Sequence, residues 1–260
     1  WRAADEVELF ETAWNFDHFY PLLGDKDGPC LEAWVTLSAL AQATSRIRIG
    51  CMVNGVPYRH PALVANMAAS LDIVSGGRLE LGLGAGWNEQ ETKAYGIDLL
   101  PMGQRMDRFE EAVEVIDSLL VHEITTFQGK YFQLEQARCE PKGPQRPRPP
   151  IVIGGGGEKR TLRIAARFAQ HWNLPFATPE VFRKKNEILL AHCEAVGRDS
   201  SLIMRSVQIE STADQDPAEV AENAAALFAV GVDQVILTLR TPYRAERVAA
   251  LAKSLEAIGS

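Results

Sequence analysis

A histidine with an adjacent aspartate is the first pair of residues in this chain that could do chemistry. Asp17 and His18 follow a short strand pattern over 12–16. An imidazole titrates near neutral pH, so His18 at a strand end is a candidate proton donor or acceptor. Asp17 could orient that imidazole or cap the following turn. The alternative is a loop histidine without a role.

Two glycine-rich segments also follow predicted strands. Gly82–Glu91 reads GLGAGWNEQE and lacks the third glycine of the dinucleotide fingerprint, but it exposes backbone amides and offers Asn88 as donor or acceptor. Gly154–Gly157 gives four consecutive glycines before Glu158-Lys159-Arg160, without the GK[ST] ending of a Walker loop. Four glycines are costly in backbone entropy. We therefore predict a phosphate or ring-edge site at 154–157 in preference to a plain turn.

The segment RIRIGCMVNGVP, residues 46–57, combines a strand with two further signals. Gly50 inside the strand indicates a bulge or a close backbone approach to a ligand. Asn54-Gly55 is a turn pair. A core strand followed by an ordinary turn explains the same residues, and both interpretations stay open at this point.

Several reaction types have no motif in this sequence. HExxH and GxSxG are absent, and no metal site is expected. The four cysteines are scattered without CxxC spacing, which favours free thiols in a reducing cytosol. One histidine beside anion-binding glycines suits a bound cofactor that carries the difficult chemistry itself.

Short β-branched runs alternate with helical patterns along the chain. Strands are predicted to begin near residues 12, 46, 78, 151, 171, 203 and 233. Helices are predicted over 1–10, 31–44, 61–74, 104–121, 159–170, 179–196, 217–230 and 245–258. Strict alternation favours parallel strands, and in a parallel α/β barrel every motif above lies at the carboxyl-end face. Closure takes eight strands, so we expect the first strand upstream of Trp1; a doubly wound sheet is the alternative.

Residues 123–150 interrupt this alternation. A hairpin is predicted around Gly129, and five prolines between 141 and 150 then favour an extended surface stretch. Because the alternation resumes at once, we interpret 123–150 as an insertion within a single domain over 1–260.

Composition narrows the class of partner. The net charge of −7 and the pI near 5.4 argue against nucleic-acid binding, which needs a basic surface. No apolar run is long enough for a membrane span, and the opening residues lack signal-peptide order. A cytoplasmic enzyme is the expectation.

Taken together, the motifs resemble a known family. DHFYPL, IRIG-x-x-V, YRHPALVANMAASLDIVSGGRLELGLGAGWNEQE and PPIVIGGGGEKRTLRIAARFAQHWN occur in the order found in luciferase-like monooxygenases, most closely in the branch of probable F420-dependent oxidoreductases. The resemblance implies a TIM (β/α)8 barrel, often dimeric, with a flavin or deazaflavin ring in the barrel mouth. By family analogy the helices over 61–74 and 104–121 would form the homodimer surface.

The resemblance also implies site residues. His18 and Asp17 are the implied catalytic residues, and residues 51–53 match a bulged strand that backs the ring and carries a non-proline cis peptide in many members. The implied cofactor-binding residues are Cys51, Met52, Val53, Asn54, Gly84, Ala85, Gly86, Asn88, Gly154, Gly155, Gly156 and Gly157. The lysine and arginine set of the sugar-phosphate branch is not identifiable, so that substrate is not carried over.

The expected function is hydride transfer between a small organic substrate and coenzyme F420. The first alternative is an FMN-dependent monooxygenase supplied with reduced cofactor by a separate reductase. A non-catalytic flavin-binding relative and a metabolic barrel that binds a sugar phosphate are further alternatives. Failure to bind flavin or deazaflavin would favour the last of these.

Overall fold

The protein is described by a computed structural model that covers residues 1–259. One parallel sheet runs in the order β1-β2-β4-β7-β8-β9-β10, with the short β3 paired to β4. A separate antiparallel pair joins β5 and β6. The strands are β1 Thr12–Asn15, β2 Arg48–Cys51, β3 Asn54–Gly55, β4 Leu79–Gly84, β5 Thr125–Gln128, β6 Gln133–Ala137, β7 Ile151–Gly154, β8 His171–Leu174, β9 Met204–Ser211 and β10 Gln234–Leu239. All seven strands predicted for the parallel sheet are present.

Helices follow the strands as the alternation predicts. They are α1 Arg2–Asp5, α2 Ala33–Gln42, α3 Pro61–Val74, α4 Glu89–Ala94, α5 Met102–Val121, α6 Thr161–Phe168, α7 Pro179–Ala195, α8 Pro217–Phe228 and α9 Ala245–Gly259. Three of them, α3, α7 and α8, begin with proline, where the missing N–H has no helical partner to lose. No helix among residues 1–259 is both long enough and apolar enough to cross a bilayer.

The predicted helix over 1–10 is wrong beyond its first turn, since α1 ends at Asp5. The guanidinium of Arg46 donates to the carbonyl oxygens of Ala4, Asp5, Val7 and Phe10. The Asp5 carboxylate in turn accepts from three backbone amides at 45–47. Carbonyls used in this way bind another part of the chain and do not continue a helix.

The sheet curls until its two edges approach each other. Thr12 on β1 lies 3.4 Å from Gln234 on β10, and Gln234 also reaches Glu11 at 3.3 Å. A flat doubly wound sheet would hold its edge strands furthest apart, so the curled parallel sheet excludes that alternative. The outer face carries aliphatic residues such as Ile49, Leu81 and Val207, which belong to one core cluster with the helices.

The hairpin predicted around Gly129 is present as β5 and β6. Its turn is held by Glu111 of α5, whose carboxylate accepts from the backbone amides of Lys130, Tyr131 and Phe132. The proline-rich stretch that follows contains neither helix nor strand over 138–150. Lys142 ties this stretch to the end of α5 by donating to the carbonyl oxygens of Leu119 and His122.

Candidate active site

His18 lies just beyond β1 at the carboxyl-end face of the sheet, and its imidazole is held by a buried carboxylate. Nδ1 of His18 is 2.6 Å from Oε2 of Glu91, on α4. The side chain of His18 is 11% exposed and that of Glu91 only 1%. With Glu91 ionised, Nδ1 carries the donated hydrogen, so Nε2 is left to accept a proton or, when protonated, to give one.

Glu91 is saturated with donors. Its Oε1 accepts from the backbone amides of Phe19 and Tyr20, both at 3.0 Å, and its Oε2 also accepts from the Tyr58 hydroxyl at 3.1 Å. Burial raises the pKa of Tyr58, and the negative charge of Glu91 raises it further. Tyr58 therefore stays a hydrogen-bond donor to Glu91. Three donors from two segments, Phe19, Tyr20 and Tyr58, fix this carboxylate, which in turn fixes the imidazole.

Asn88 positions Glu91 from within the sequence. The side-chain oxygen of Asn88 caps α4 by accepting from the Glu91 amide at 3.2 Å. The short helix α4 was not predicted, because six residues give too little periodicity to recognise. In this structure Asn88 contributes to the site through the helix that carries Glu91.

Asp17 occupies a different position from the one suggested by its neighbour in sequence. Its carboxylate makes two hydrogen bonds to the guanidinium of Arg59, at 2.7 and 3.0 Å, and accepts from the Gly55 amide at 3.1 Å. The suggestion that Asp17 orients His18 is wrong in this geometry, since Glu91 performs that role. Arg59 also binds Glu32, the N-cap residue of α2. The Asp17–Arg59 pair therefore connects the segment after β1 with β3 and α2.

A non-proline cis peptide joins Met52 and Val53 directly after β2. These two residues, called the bulge below, lie over the glycines of the neighbouring strands. A Cβ on Gly82 would lie 2.0 Å from the Cys51 carbonyl oxygen, and one on Gly84 would lie 2.5 Å from Val53. A Cβ on Gly154 would also meet Val53, at 2.9 Å. The glycines thus let the bulge pack flat across β4 and β7.

The four glycines at 154–157, called the glycine cradle below, are used in two ways. Gly154 makes room for Val53, and Gly155, with φ of +116°, donates its amide to the Asn173 carbonyl oxygen at 2.9 Å. The amides of Gly156 and Gly157 donate to no acceptor in residues 1–259. These two amides, just before α6, can bind an anion.

Aromatic rings surround the His18 and Glu91 pair. Trp87 lies edge-on to His18 with ring centroids 5.5 Å apart, and it is 62% exposed. Phe19 stacks on Tyr95 at 4.2 Å and contacts Tyr58 at 4.8 Å. The imidazole therefore lies beside a group of aromatic rings, and only 11% of its side chain is exposed.

Comparison with known proteins places this arrangement in a family. Residues 3–258 match the model of the luciferase-like monooxygenases. The chain belongs to this family. The F420-dependent glucose-6-phosphate dehydrogenase of Kineococcus radiotolerans is 32% identical over 84% of the chain and 64% of its own length. The F420-dependent hydroxymycolic acid dehydrogenase of Mycobacterium tuberculosis is 33% identical over 83% of the chain and 58% of its own length.

Solved structures of luciferase-like proteins share the fold. An F420-dependent secondary alcohol dehydrogenase with an F420-acetone adduct superposes with a TM-score of 0.88 at 21% identity, covering 98% of this chain and 92% of that one. A type II Baeyer–Villiger monooxygenase in complex with FMN gives 0.74 at 19% identity, over 99% and 89%. The predicted barrel class is thereby confirmed. The chain spans 55% to 64% of the length of several curated relatives that it matches.

The predicted site residues gather at one face of this luciferase-like barrel. His18, the bulge and the glycine cradle all lie where the parallel strands end. Asn54 is buried and donates to the Gly82 carbonyl oxygen, with its own side-chain oxygen unpaired. Ala85 packs against the core, and Gly86 turns the chain with φ of +78°. The sequence interpretation missed Glu91, Tyr58 and Arg59, although all three lie inside the segment 58–91 that carries the resemblance.

Proposed function

We propose that this protein is an oxidoreductase that uses coenzyme F420 for hydride transfer to or from a small organic substrate. The observation that carries the proposal is the His18 imidazole, fixed at Nδ1 by a buried Glu91 and open at Nε2 toward the mouth. The two F420-dependent relatives above 30% identity support the choice of cofactor.

The residues present fit a flat ring with an anionic tail. The bulge offers a flat surface because Gly82, Gly84 and Gly154 carry no Cβ that would displace it. The unpaired amides of Gly156 and Gly157 suit a phosphate, and the Lys185 side chain passes close to Gly156. When bound, F420 supplies a ring carbon that gives or accepts a hydride.

His18 would move the proton that accompanies the hydride. In the oxidation of an alcohol, its neutral Nε2 takes the hydroxyl proton of the substrate; in the reverse direction the protonated ring returns it. Glu91 fixes the tautomer and stabilises the imidazolium that forms. Asp17 remains a predicted catalytic residue, but its contacts with Arg59 and Gly55 support a positioning role.

The test is a pair of titrations followed by Trp fluorescence, one with F420 and one with FMN, because Trp87 lies beside His18. We expect a dissociation constant for F420 of about 1 μM or lower, about −8 kcal/mol, and much weaker FMN binding. His18→Ala should keep F420 affinity and lose roughly 10²- to 10⁴-fold in turnover. The reverse cofactor preference would favour the FMN monooxygenase, and full turnover by His18→Ala would refute the role of His18.

The remaining expectations from the sequence belong to this proposal. We propose a cytoplasmic homodimer with α3 and α5 at the interface, whose reduced cofactor is regenerated by a separate enzyme. Sedimentation velocity on the purified chain tests the dimer, and a monomer at micromolar concentration would contradict it.

A further inference from the structure

Two polar side chains on the inner face of the barrel carry a further inference. Ser206 of β9 faces the interior, because its Oγ lies 2.6 Å from Nε2 of the buried His171. Side chains alternate along a strand, so Gln208 faces the interior one layer nearer the mouth. On β10 Ile236 faces the same space, packed with Met52 and Val152, and Thr238 follows one layer further out.

Both side chains are buried and unpaired. Gln208 is 4% exposed and Thr238 is 6% exposed. Neither the Gln208 amide nor the Thr238 hydroxyl makes a side-chain hydrogen bond to any residue of 1–259, whereas the neighbouring Ser206 has two such partners. Neither side chain has a fully enclosed polar atom without a partner among the residues that the structure describes. The amide and the hydroxyl therefore open onto the space inside the barrel, where a ligand can bind them.

The pair lies on the side of the mouth away from the glycine cradle. The cradle lies at the end of β7, whereas Gln208 and Thr238 lie on β9 and β10. Met52 of the bulge reaches across to this side, since it packs against Ile236, the register partner of Gln208. The edge strand β10 faces β1, which leads to His18. Beyond His18 the chain crosses toward β10, since a Cβ on Gly24 would lie 3.6 Å from the Thr241 hydroxyl. The segment that follows His18 therefore lies at the same end of the barrel as Thr238.

The charged residues next to this polar pair do not favour an ionic ligand. Glu210 is the register partner of Thr238, and its carboxylate is paired with Arg240. An amide and a hydroxyl each donate and accept, so together they can bind a neutral group that accepts, such as a ketone, or one that both donates and accepts, such as a hydroxyl or an amide.

We infer that Gln208 and Thr238 bind a second, neutral hydrogen-bonding group of the substrate. The substrate is then a small alcohol or carbonyl compound that carries another hydroxyl, carbonyl or amide besides the group that reacts at His18. This inference rests on the proposed function for the reaction and on the unpaired side chains for the second group.

The first test is Gln208→Met, which keeps the length of the side chain and removes the amide. The side-chain amide of Gln208 makes no hydrogen bond within residues 1–259, so its removal costs the folded state little. The variant should therefore keep a Tm within about 2 °C of wild type. Gln145→Met is the matched control, because Gln145 donates to Asp72 and to the Leu79 carbonyl oxygen, both at 2.7 Å. That variant should lose stability. A fall in Tm beyond that range for Gln208→Met would overturn the inference.

The second test compares matched substrates with the F420-loaded enzyme: 1,2-propanediol against 2-propanol, and hydroxyacetone against acetone. Wild type should favour the member with the second oxygen by about tenfold or more in kcat/KM. Gln208→Met and Thr238→Val should each reduce that preference by about tenfold, while F420 affinity changes less than twofold. An unchanged preference together with weaker F420 binding would assign the pair to the cofactor and overturn the inference.

A third measurement separates this inference from the proposed function. If neither F420 nor FMN binds, the proposed function fails, but the cofactor-free protein still has the pair. Stabilisation by 1,2-propanediol beyond that by 2-propanol, present in wild type and absent in Gln208→Met, would still support a site for a second polar group. Equal stabilisation in the two proteins would refute it.

Discussion

One hydrogen bond at His18 decides which ring nitrogen faces the mouth. Because the Glu91 carboxylate has no hydrogen to give, it holds the hydrogen on Nδ1 and leaves Nε2 as the reactive atom. The other three donors to Glu91 prevent it from turning away. The pairing controls the tautomer, which neither residue type reveals in the sequence.

Replacing this carboxylate by an amide should reverse the tautomer. In Glu91→Gln an amide NH₂ can face Nδ1 of His18, which would move the ring hydrogen to Nε2 and remove the proton acceptor. Turnover should fall about 10²-fold or more, while F420 affinity stays within a factor of about two. Glu89→Gln is the control, since Glu89 lies exposed on the same helix. Nitrogen NMR of the His18 ring reads the tautomer directly, and an unchanged tautomer with lower turnover would contradict the explanation.

The Asp17 and Arg59 pair should matter for stability more than for chemistry. The Asp17 side chain is 1% exposed and that of Arg59 is 13% exposed, so breaking the pair weakens two buried charge-assisted hydrogen bonds and leaves Arg59 paired with Glu32. Asp17→Asn should lower the free energy of unfolding by about 1.5–3 kcal/mol. Glu123→Gln is the comparison, because its pair with Arg138 is exposed on both sides and should contribute about 1 kcal/mol or less. Urea unfolding measures both. If folded Asp17→Asn loses turnover as severely as His18→Ala, Asp17 is catalytic after all.

At the scale of elements, the bulge after β2 packs flat on β4 and β7 because the glycines of those strands have no Cβ. Gly84→Ala should cost about 1–3 kcal/mol of unfolding free energy, because its Cβ would overlap a methyl group of Val53. In a Val53→Ala background that methyl group is gone, so the same substitution should cost little. Gly103→Ala is the control, since its Cβ in α5 would meet nothing within 4 Å, and it should stabilise by about 0.5–1 kcal/mol. A double-mutant cycle by urea unfolding measures the coupling, and additive costs would show that Val53 is not the obstacle.

Helices and strands could be predicted where the sequence pattern that marks them lies within one segment. Pro61–Val74 matches α3 residue for residue, since proline and apolar periodicity mark a helix within one segment. The strand starts lie within two residues of their predicted positions for the same reason. Residues 6–10 failed as a helix because Arg46, more than 35 residues away, takes their carbonyl oxygens.

The site was only half predictable for a similar physical reason. The glycines and His18 stand at strand ends, which alternation alone brings to one face. Glu91 meets His18 across 73 residues, and Arg59 meets Asp17 across 42. No spacing rule within a segment encodes such pairs. Adjacency in sequence was misleading here, since it suggested Asp17 as the partner of His18.

At the scale of the whole molecule, a buried polar chain links strands across the lower barrel. Arg48 of β2 binds Glu80 of β4 at 2.8 Å, Glu80 binds His171 of β8 at 3.0 Å, and His171 meets Ser206 of β9 at 2.6 Å. Trp14 of β1 lies edge-on to His171 with ring centroids 5.9 Å apart. Five strands of the curled sheet therefore contact one network, which makes their register interdependent.

This network should make the stability of the barrel depend on acid pH. Burial alone would raise the pKa of Glu80, but the hydrogen bond and charge of His171 and the Arg48 guanidinium outweigh it and hold that pKa below its ordinary value. A group whose pKa is lowered on folding contributes its full stability above the unfolded pKa, about 4.3 for glutamate, and loses it as the pH falls toward the folded pKa.

Glu80→Gln should therefore be less stable than wild type by about 3–5 kcal/mol at pH 7, and the difference should shrink steadily below about pH 4.3. Urea unfolding of both proteins between pH 7 and pH 3 measures it. Glu135→Gln, at an exposed position of β6, should run parallel to wild type throughout. A Glu80→Gln curve that also runs parallel to wild type down to pH 3 would mean that the ionisation of Glu80 is not linked to folding. The buried polar network would then contribute to stability through packing alone.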